Sequence, residues 1–246
     1  MTILDYDYLN VNMVDAAARY QGADPFPHIA IDNFLEPEVI TALGKHFPES
    51  EVKPGQEDQS ADLDGKAAQF RKRWVSREAR VHPALRRLYW ELNSGPFIAM
   101  LEAMSGIDNL IPDPFLLGGG IHQTEPGGFL RVHADFNRHS KLNLDRRLNL
   151  LIYFIEDWQS EYGGNLELWN DDLSECVQEI EPLAGRCVVF STTSTSWHGH
   201  PRPLACPVGR TRRSVAMYYY TNGRPEEENS EGHDTLWQHL PDEKSA

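Results

Sequence analysis

The sequence predicts a mainly β protein with flanking α-helices, its strands folded as a sandwich or jelly roll. Three observations lead there. From about residue 114, short apolar runs alternate with Gly, Pro and Asp turns: PFLLGGGIHQ, GGFLRVHAD, RRLNLLIYFI, GGNLELW, CVQEIEPL, GRCVVFS and RRSVAMYYYT. No helix-length periodic stretch separates these seven candidate strands, as parallel crossover units would require. Helical periodicity is confined to the N-terminal part, where such helices can pack on the sheet.

The elements follow in order. The first twenty-odd residues read as a surface arm or short helix. PFPHIAIDNFL (25–35) alternates Phe26, His28 and Ala30 with Ile29 and Ile31, as a strand does. EPEVITALGKHF (36–47) is a helix: Pro37 suits its first turn, and Val39, Ile40, Leu43 and Phe47 form one apolar face. Residues 48–68 are polar and rich in turn formers, and are expected to be a lid-like loop. RKRW (71–74) is a basic cluster at a solvated strand edge, or else a substrate anchor. Residues 82–106 form two helices; Ser94 can cap the second, Pro96 fits its first turn and Gly106 ends it. The acidic tail (223–246) is expected to fray. The expected organisation is one domain over 1–246, with strand and helix support at 20–110 and a jelly-roll core at 112–222.

Composition narrows the function classes. The chain has 246 residues, 40% hydrophobic and 24% charged, with a net charge of −14. Phosphate backbones would repel such a chain, so nucleic acid is not an expected partner. No stretch reads as a membrane span, and MTILDYDYLN lacks the charged start and apolar run of a signal peptide. Cys176, Cys187 and Cys206 cannot pair completely and none lies in a CxxC, which fits a reducing, cytoplasmic setting. The phosphate loop GxxxxGK, the dinucleotide loop GxGxxG after a strand and the hydrolase elbow GxSxG are absent from the sequence.

The residues that carry chemistry lie in the strand-rich half. His133 and Asp135 close the strand GGFLRVHAD, and residues two apart in a strand share a face. Such a pair can bind a divalent metal, although a turn Asp beside a surface His has the same spelling. STTSTSWHGHP adds two imidazoles of equal strand parity, His198 and His200. Arg212-Arg213-Ser214 then opens the last strand. Arg212 and Ser214 share a face, continued by Ala216, Tyr218 and Tyr220, while Arg213 points the other way. An inward Arg and hydroxyl make a carboxylate clamp; the competing reading of Arg212 is a rim salt bridge. Two His and one carboxylate leave three metal positions open, which suits non-haem Fe(II) oxygenases. Those positions can hold a chelating 2-oxo acid and dioxygen.

HAD…WH…RRS on a run of short strands resembles the 2-oxoglutarate- and Fe(II)-dependent dioxygenases, in their prolyl-4-hydroxylase-like branch. IYFIEDWQSEYGGNLELW and EIEPLAGRCVVFSTTSTSWHGH are similar to that family's YLN-x-DW-x-GGxLxL and I-x-P-x-x-GR-LLFF…H segments. PFPHIAIDNFLEPEVITAL resembles its entry strand and helix. The resemblance implies a double-stranded β-helix, the cupin-like form of the jelly roll. It implies His133, Asp135 and His198 as iron ligands, with His198 favoured over His200 by its family position. It makes Arg212 the catalytic-site cation for the far carboxylate of 2-oxoglutarate, with Ser214 and the Tyr153 hydroxyl beside it. Asn149 and Gln123 are further candidate cosubstrate contacts. Two departures stand out: the insert PRPLACPVG between His198 and Arg212, which makes Arg210 or Arg213 alternative clamps, and YFI in place of YLN.

The implied activity is hydroxylation of an unactivated C–H bond with conversion of 2-oxoglutarate and dioxygen to succinate and CO2, ascorbate serving as a reductant. The implied partners are a small-molecule or peptide substrate, an amino acid or peptidyl residue first and a secondary metabolite second. Asp135 argues against a halogenase, which needs a small residue there. The rival of a different class is a cupin-like metal-binding protein without oxygenase activity, for which the Arg212–Tyr153 clamp has no use. Arg131 shares parity with His133 and is a candidate substrate contact, as are Asn137 and Arg138. His28, His122 and His139 read as satisfied polar residues, and Trp158 and Trp169 as packing.

Overall fold

The computed structural model describes residues 2–48, 60–61, 67–228 and 231–240. Its elements in chain order are α1 (Tyr6–Gln21), β1 (His28–Ile31), α2 (Pro37–Gly44), β2 (Ser60–Ala61), β3 (Ala67–Val75), α3 (Pro83–Leu92), α4 (Gly95–Ser105) and β4 (Ile111–Pro112). They continue with β5 (Gly120–Ala134), β6 (Asp145–Tyr153), β7 (Leu166–Trp169), β8 (Cys176–Ile180), β9 (Cys187–Ser191), β10 (His198–His200), β11 (Arg212–Thr221) and β12 (Leu236–Trp237). The strands pair antiparallel in the order β1-β9-β6-β11-β5-β10-β7-β8, with β3 and β12 added along β5. This is the jelly-roll arrangement expected from the alternating runs.

Alternation along the central strands separates two cores. Leu148, Leu150 and Ile152 of β6, with Val215, Met217 and Tyr219 of β11, pack under the four helices. Their alternates turn inward. Tyr153, Val188 and Phe190 meet Leu166, Leu168 and Ile180 of the short strands, and Ala216, Tyr218 and Tyr220 form a second inner cluster. The functional side chains share this inner face, between the two layers.

The N-terminal elements match their sequence signals with two corrections. α1 is no surface arm: Leu9, Ala16 and Tyr20 are buried, and the helix lies against α4 and β1. Ser94 occupies the N-cap of α4 without capping it, because its hydroxyl pairs with the Tyr6 hydroxyl at 3.2 Å. Gly106 does end α4, in the left-handed region at φ 72°. The RKRW cluster lies on β3, which runs along β5. Most of the expected lid, 48–68, lies outside the described residues.

Two further corrections concern the strand-rich half. PFLLGGGIHQ and GGFLRVHAD do not make separate strands; they merge into the fifteen-residue β5. The break expected at Gly127-Gly128 is a bulge, across which the β5–β3 register shifts between Phe70↔Phe129 and Lys72↔Thr124. The acidic tail does not fray over 231–240. β12 pairs with β5 at Leu236↔Ala134 and Trp237↔His133, and Leu240 is buried with Trp197 and Val132.

Candidate active site

β5 and β10 bring the two imidazoles together, since His198 pairs directly with His133 and their rings lie 4.4 Å apart. Asp135 follows β5 by one residue. One donor atom from each of His133, Asp135 and His198 lies within 4.8 Å of the others. The His133 Nε2 is 3.6 Å from Asp135 Oδ1, and the His198 Nε2 is 3.4 Å from Oδ2. Each ring turns its Nδ1 to a backbone carbonyl, Arg131 O at 2.8 Å and Ser196 O at 2.9 Å. A proton on Nδ1 leaves the Nε2 lone pair for a metal.

The protonation states suit a metal. Burial, with the neighbouring His133, lowers His198 to about 4, so its ring is neutral near pH 7. Burial alone would raise Asp135, but the Arg146 guanidinium overrides it, with His198 and His133, and holds the carboxyl well below its usual range. The donor set of two imidazoles and one carboxylate fits Fe(II) with positions left open.

Arg146 is the site residue that sequence reading missed. Its Nη2 lies 3.0 Å from Asp135 Oδ2, and its plane covers the Tyr218 ring at 3.5 Å. Alternation from Asn149 would turn Arg147 inward instead. A register shift between Tyr219 and Tyr220, where Tyr219 faces Leu148 and Tyr220 faces Arg146, reverses the parity. Asn149 was expected at the cosubstrate. Its amide instead donates to Asp135 Oδ2 at 2.7 Å while its carbonyl accepts from Arg146.

The candidate clamp residues Arg212, Tyr153 and Ser214 meet on the inner face as parity predicts. Arg212 is buried; its Nε donates to Gly164 O at 2.7 Å and its Nη2 to the Tyr153 hydroxyl at 3.1 Å. Ser214 lies beside them, opposite Tyr153 on β6 and His122 on β5. Among the described residues no carboxylate pairs with Arg212. Arg213 faces the Phe47 ring on the outer side, and Arg210 donates to the Glu156 and Asp157 carbonyls. The insert PRPLACPVG is pinned: Leu204 exchanges backbone hydrogen bonds with Gly127 and Gly128, and Ala205 bonds Tyr162 O. Its extra length is absorbed before β11 begins, so Arg212 reaches the inner face. Gly164 sits at a left-handed φ of 78°, where a Cβ would also meet Leu204 Cδ2 at 2.6 Å and Arg212 Cδ at 3.1 Å, so glycine is favoured there.

Gln123 is not brought to this group. The bulge at Gly127-Gly128 adds residues between it and His133 and reverses its face. It pairs with Arg213, donates to Pro48 O at 2.8 Å and accepts from Thr211. His122 takes the inward position instead. Arg131 is occupied elsewhere, donating to Ala67 O and meeting His239. Asn137 clamps the tail: its amide donates to Glu231 O and its carbonyl accepts from the His233 N–H. Trp237, which no sequence signal singled out, places its ring 4.7 Å from the His133 ring. His139 is a satisfied buried residue, bonded to Asp113 and to the backbone of Lys141 and Leu142.

Comparison with known proteins agrees with this geometry. Residues 119–221 match the 2OG-Fe(II) oxygenase superfamily. No curated protein sequence matches the chain. A prolyl hydroxylase from Trichoplax adhaerens, solved with a hypoxia inducible factor oxygen degradation domain peptide fragment, aligns with a TM-score of 0.57 at 16% identity. That alignment covers 88% of this chain and 93% of the other. A Pseudomonas putida prolyl-4-hydroxylase aligns at 0.53 and 18% identity, over 85% of this chain and all (100%) of its own. HygX from Streptomyces hygroscopicus, solved with nickel and 2-oxoglutarate, aligns at 0.53 and 12% identity over 95% and 97%. Likeness at these identities is one of fold.

The family match and the jelly-roll core together define an oxidoreductase of the Fe(II)- and 2-oxoglutarate-dependent class. Over residues 119–221 the chain matches the 2OG-Fe(II) oxygenase superfamily, and its fold is one shared with solved prolyl hydroxylases.

Proposed function

We propose that the protein hydroxylates an unactivated C–H bond of an amino acid, a proline-like peptidyl residue or an amino-acid-derived small molecule, forming succinate and CO2. His133, Asp135 and His198 hold the metal, and Arg212, Tyr153 and Ser214 receive the far carboxylate of 2-oxoglutarate. The observation that carries this reading is the buried Arg212 guanidinium without a carboxylate partner among the described residues, on the same inner face as the triad. An uncompensated buried charge is costly, so the fold is built around an anion that arrives with the reaction. A protein that only stored metal would have no use for that charge. Dioxygen would be the oxidant, activated at the bound Fe(II) with two electrons from 2-oxoglutarate, which would become succinate and CO2; the chain orients the ligands and lines the site with buried rings, Tyr153, Tyr218 and Phe190.

A second reading, tailoring of a secondary metabolite, is favoured by the HygX likeness, which covers 95% of the chain in a structure also holding hygromycin B at a TM-score of 0.51. The net charge of −14 argues against nucleic acid as substrate. Among the described residues no helix is long and apolar enough to cross a membrane.

The test is succinate formation from 2-oxoglutarate with Fe(II) and ascorbate, against panels of amino acids, proline peptides and small metabolites. His133→Ala and Asp135→Ala should abolish turnover with the circular dichroism unchanged. Near-native turnover in either variant would overturn the ligand assignment. Fe(II) and 2-oxoglutarate together should also raise the Tm, because both bind only the folded site.

A further inference from the structure

The three candidate ligands differ in what holds them. Asp135 is held by Arg146 and Asn149, and His198 lies inside the sheet between β5 and β7, with the Phe190 ring against it at 4.7 Å. His133 lies where β5 meets the C-terminal segment. The pairing of β3 with β5 ends at Gln69↔Leu130, and β12 takes up the same edge at Leu236↔Ala134 and Trp237↔His133. Directly paired residues share a face, so the indole flanks the imidazole on one side and the His198 ring flanks it on the other. Their ring centroids lie 4.7 and 4.4 Å from that of His133, tilted by 36° and 46°. With this cover His133 is 5% exposed.

A histidine ring turns about a broad, weakly preferred torsion, so one hydrogen bond does not fix its plane. His133 has one such bond, between Nδ1 and Arg131 O. The flanking rings set the rest. Leu236 packs with Val132, Ala134, Trp197 and Leu240, whereas its neighbour Trp237 joins none of the apolar clusters formed by the described residues. The strand that bears the indole is fastened to the β5 residues just before His133. The Gln238 N–H donates to Val132 O at 2.9 Å, and Arg131 Nη1 lies 3.1 Å from His239 Nδ1. Upstream, Asn137 holds Glu231 and His233, and the Ser194 hydroxyl meets His233 Nε2 at 2.8 Å.

We propose that Trp237 is a positioning residue of the metal centre: its indole presses on the His133 ring and keeps Nε2 turned towards Asp135 and His198, so the C-terminal strand is part of the site. The inference rests on the reading of His133 as a metal ligand. It goes beyond that reading by adding β12, which lies outside the family-matched residues 119–221. A ligand held in place before the metal arrives loses less freedom on binding it. The coupling runs both ways: if the ordered strand tightens metal binding, bound metal holds the strand in place by the same factor.

The test uses the full-length protein with Mn(II) as the probe and no substrate. Free Mn(II) is read by electron paramagnetic resonance, and loss of the tail to chymotrypsin at Leu236 and Leu240 by mass spectrometry. Trp237→Leu, which keeps apolar bulk without a flat ring, should weaken Mn(II) about tenfold, the loss typical when a ligand's supporting partner is removed. Trp237→Phe should recover most of that affinity. Trp237→Met gives the same comparison if circular dichroism shows Trp237→Leu unfolded. Saturating Mn(II) should slow tail cleavage in the wild type and in Trp237→Phe, and much less in Trp237→Leu. Wild-type Mn(II) affinity in Trp237→Leu would overturn the proposal. So would an equal loss in Trp237→Phe, or tail protection by Mn(II) that does not depend on the ring, since each leaves Trp237 a packing residue. If the wild type fails to bind Mn(II), or His133→Ala binds it unchanged, the ligand reading falls first and takes this inference with it.

Discussion

The Arg146 guanidinium lies 3.0 Å from the Asp135 carboxylate, sandwiched between the Tyr218 and Phe136 rings at 3.5 and 4.5 Å. With Asn149 it takes up Asp135 Oδ2 and leaves Oδ1 towards His133. Arg146 is fully buried and Asp135 nearly so, with side-chain exposures of 1% and 12%, so each charge depends on the other. The arrangement keeps the carboxylate ionised and aimed before any metal arrives, which removes a reorganisation step from metal binding.

Arg146→Met should therefore destabilise the metal-free protein by about 3–5 kcal/mol, because it strands a buried carboxylate. A divalent cation can replace the lost compensation. The Mn(II)-induced rise in Tm should be larger in the variant than in the wild type. Equal rises in differential scanning fluorimetry would show that Arg146 does not neutralise Asp135.

Three arginines near β11 separate by face. Arg212→Ala should weaken 2-oxoglutarate by roughly two to four orders of magnitude, the loss of a buried pair of about 3–5 kcal/mol. Arg213→Ala and Arg210→Ala should each change it by less than about tenfold, because neither guanidinium faces the inner cavity. Anaerobic binding constants for the three variants decide this. A large loss at Arg213 would mean that the strand is shifted by one residue.

Metal-free stability should fall on acidification earlier than carboxylate protonation alone would cause. His198 is lowered to about 4 by burial and His133; His122 and His200 are lowered well below 6.5, chiefly by burial. A histidine whose folded pKa is depressed is neutral in the fold and takes up a proton on unfolding. Its stabilisation is complete above about 6.5 and is lost as the pH falls towards about 4. Urea midpoints at pH 7.5, 6 and 5 should decrease in that order. A flat profile over this range would show that the rings are not held neutral.

The C-terminal strand should depend on Asn137. Its side chain holds Glu231 and His233, and its own N–H donates to His233 O. Asn137→Ala removes two side-chain hydrogen bonds and should free β12, raising proteolysis after residue 228 and exposing the Trp237 indole. Tryptophan quenching by acrylamide together with limited chymotrypsin digestion, which cuts at Leu236, Trp237 and Leu240, would report this. Unchanged protection would show that Leu236, Leu240 and the Gln238–Val132 backbone bond suffice.

The fold class and the chemistry were legible in the sequence wherever a regular period runs unbroken. Val215, Met217 and Tyr219 alternate with Ser214, Ala216 and Tyr218 along β11 without interruption, so the opposite facing of Arg212 and Arg213 follows from counting. The His-x-Asp pair sits at the end of β5 and needs no long-range information to share a face. Tertiary structure decided the rest. One bulge at Gly127-Gly128 turned Gln123 away and His122 inward, and another beside Arg147 turned Arg146 onto Asp135. A bulge reverses every side chain beyond it, and its position depends on the partner strand, which a single sequence does not display. The docking of Trp237 on His133 likewise joins residues 104 apart in the chain through strand pairing. Local propensity determined the strands; the register between them determined which residues share the site.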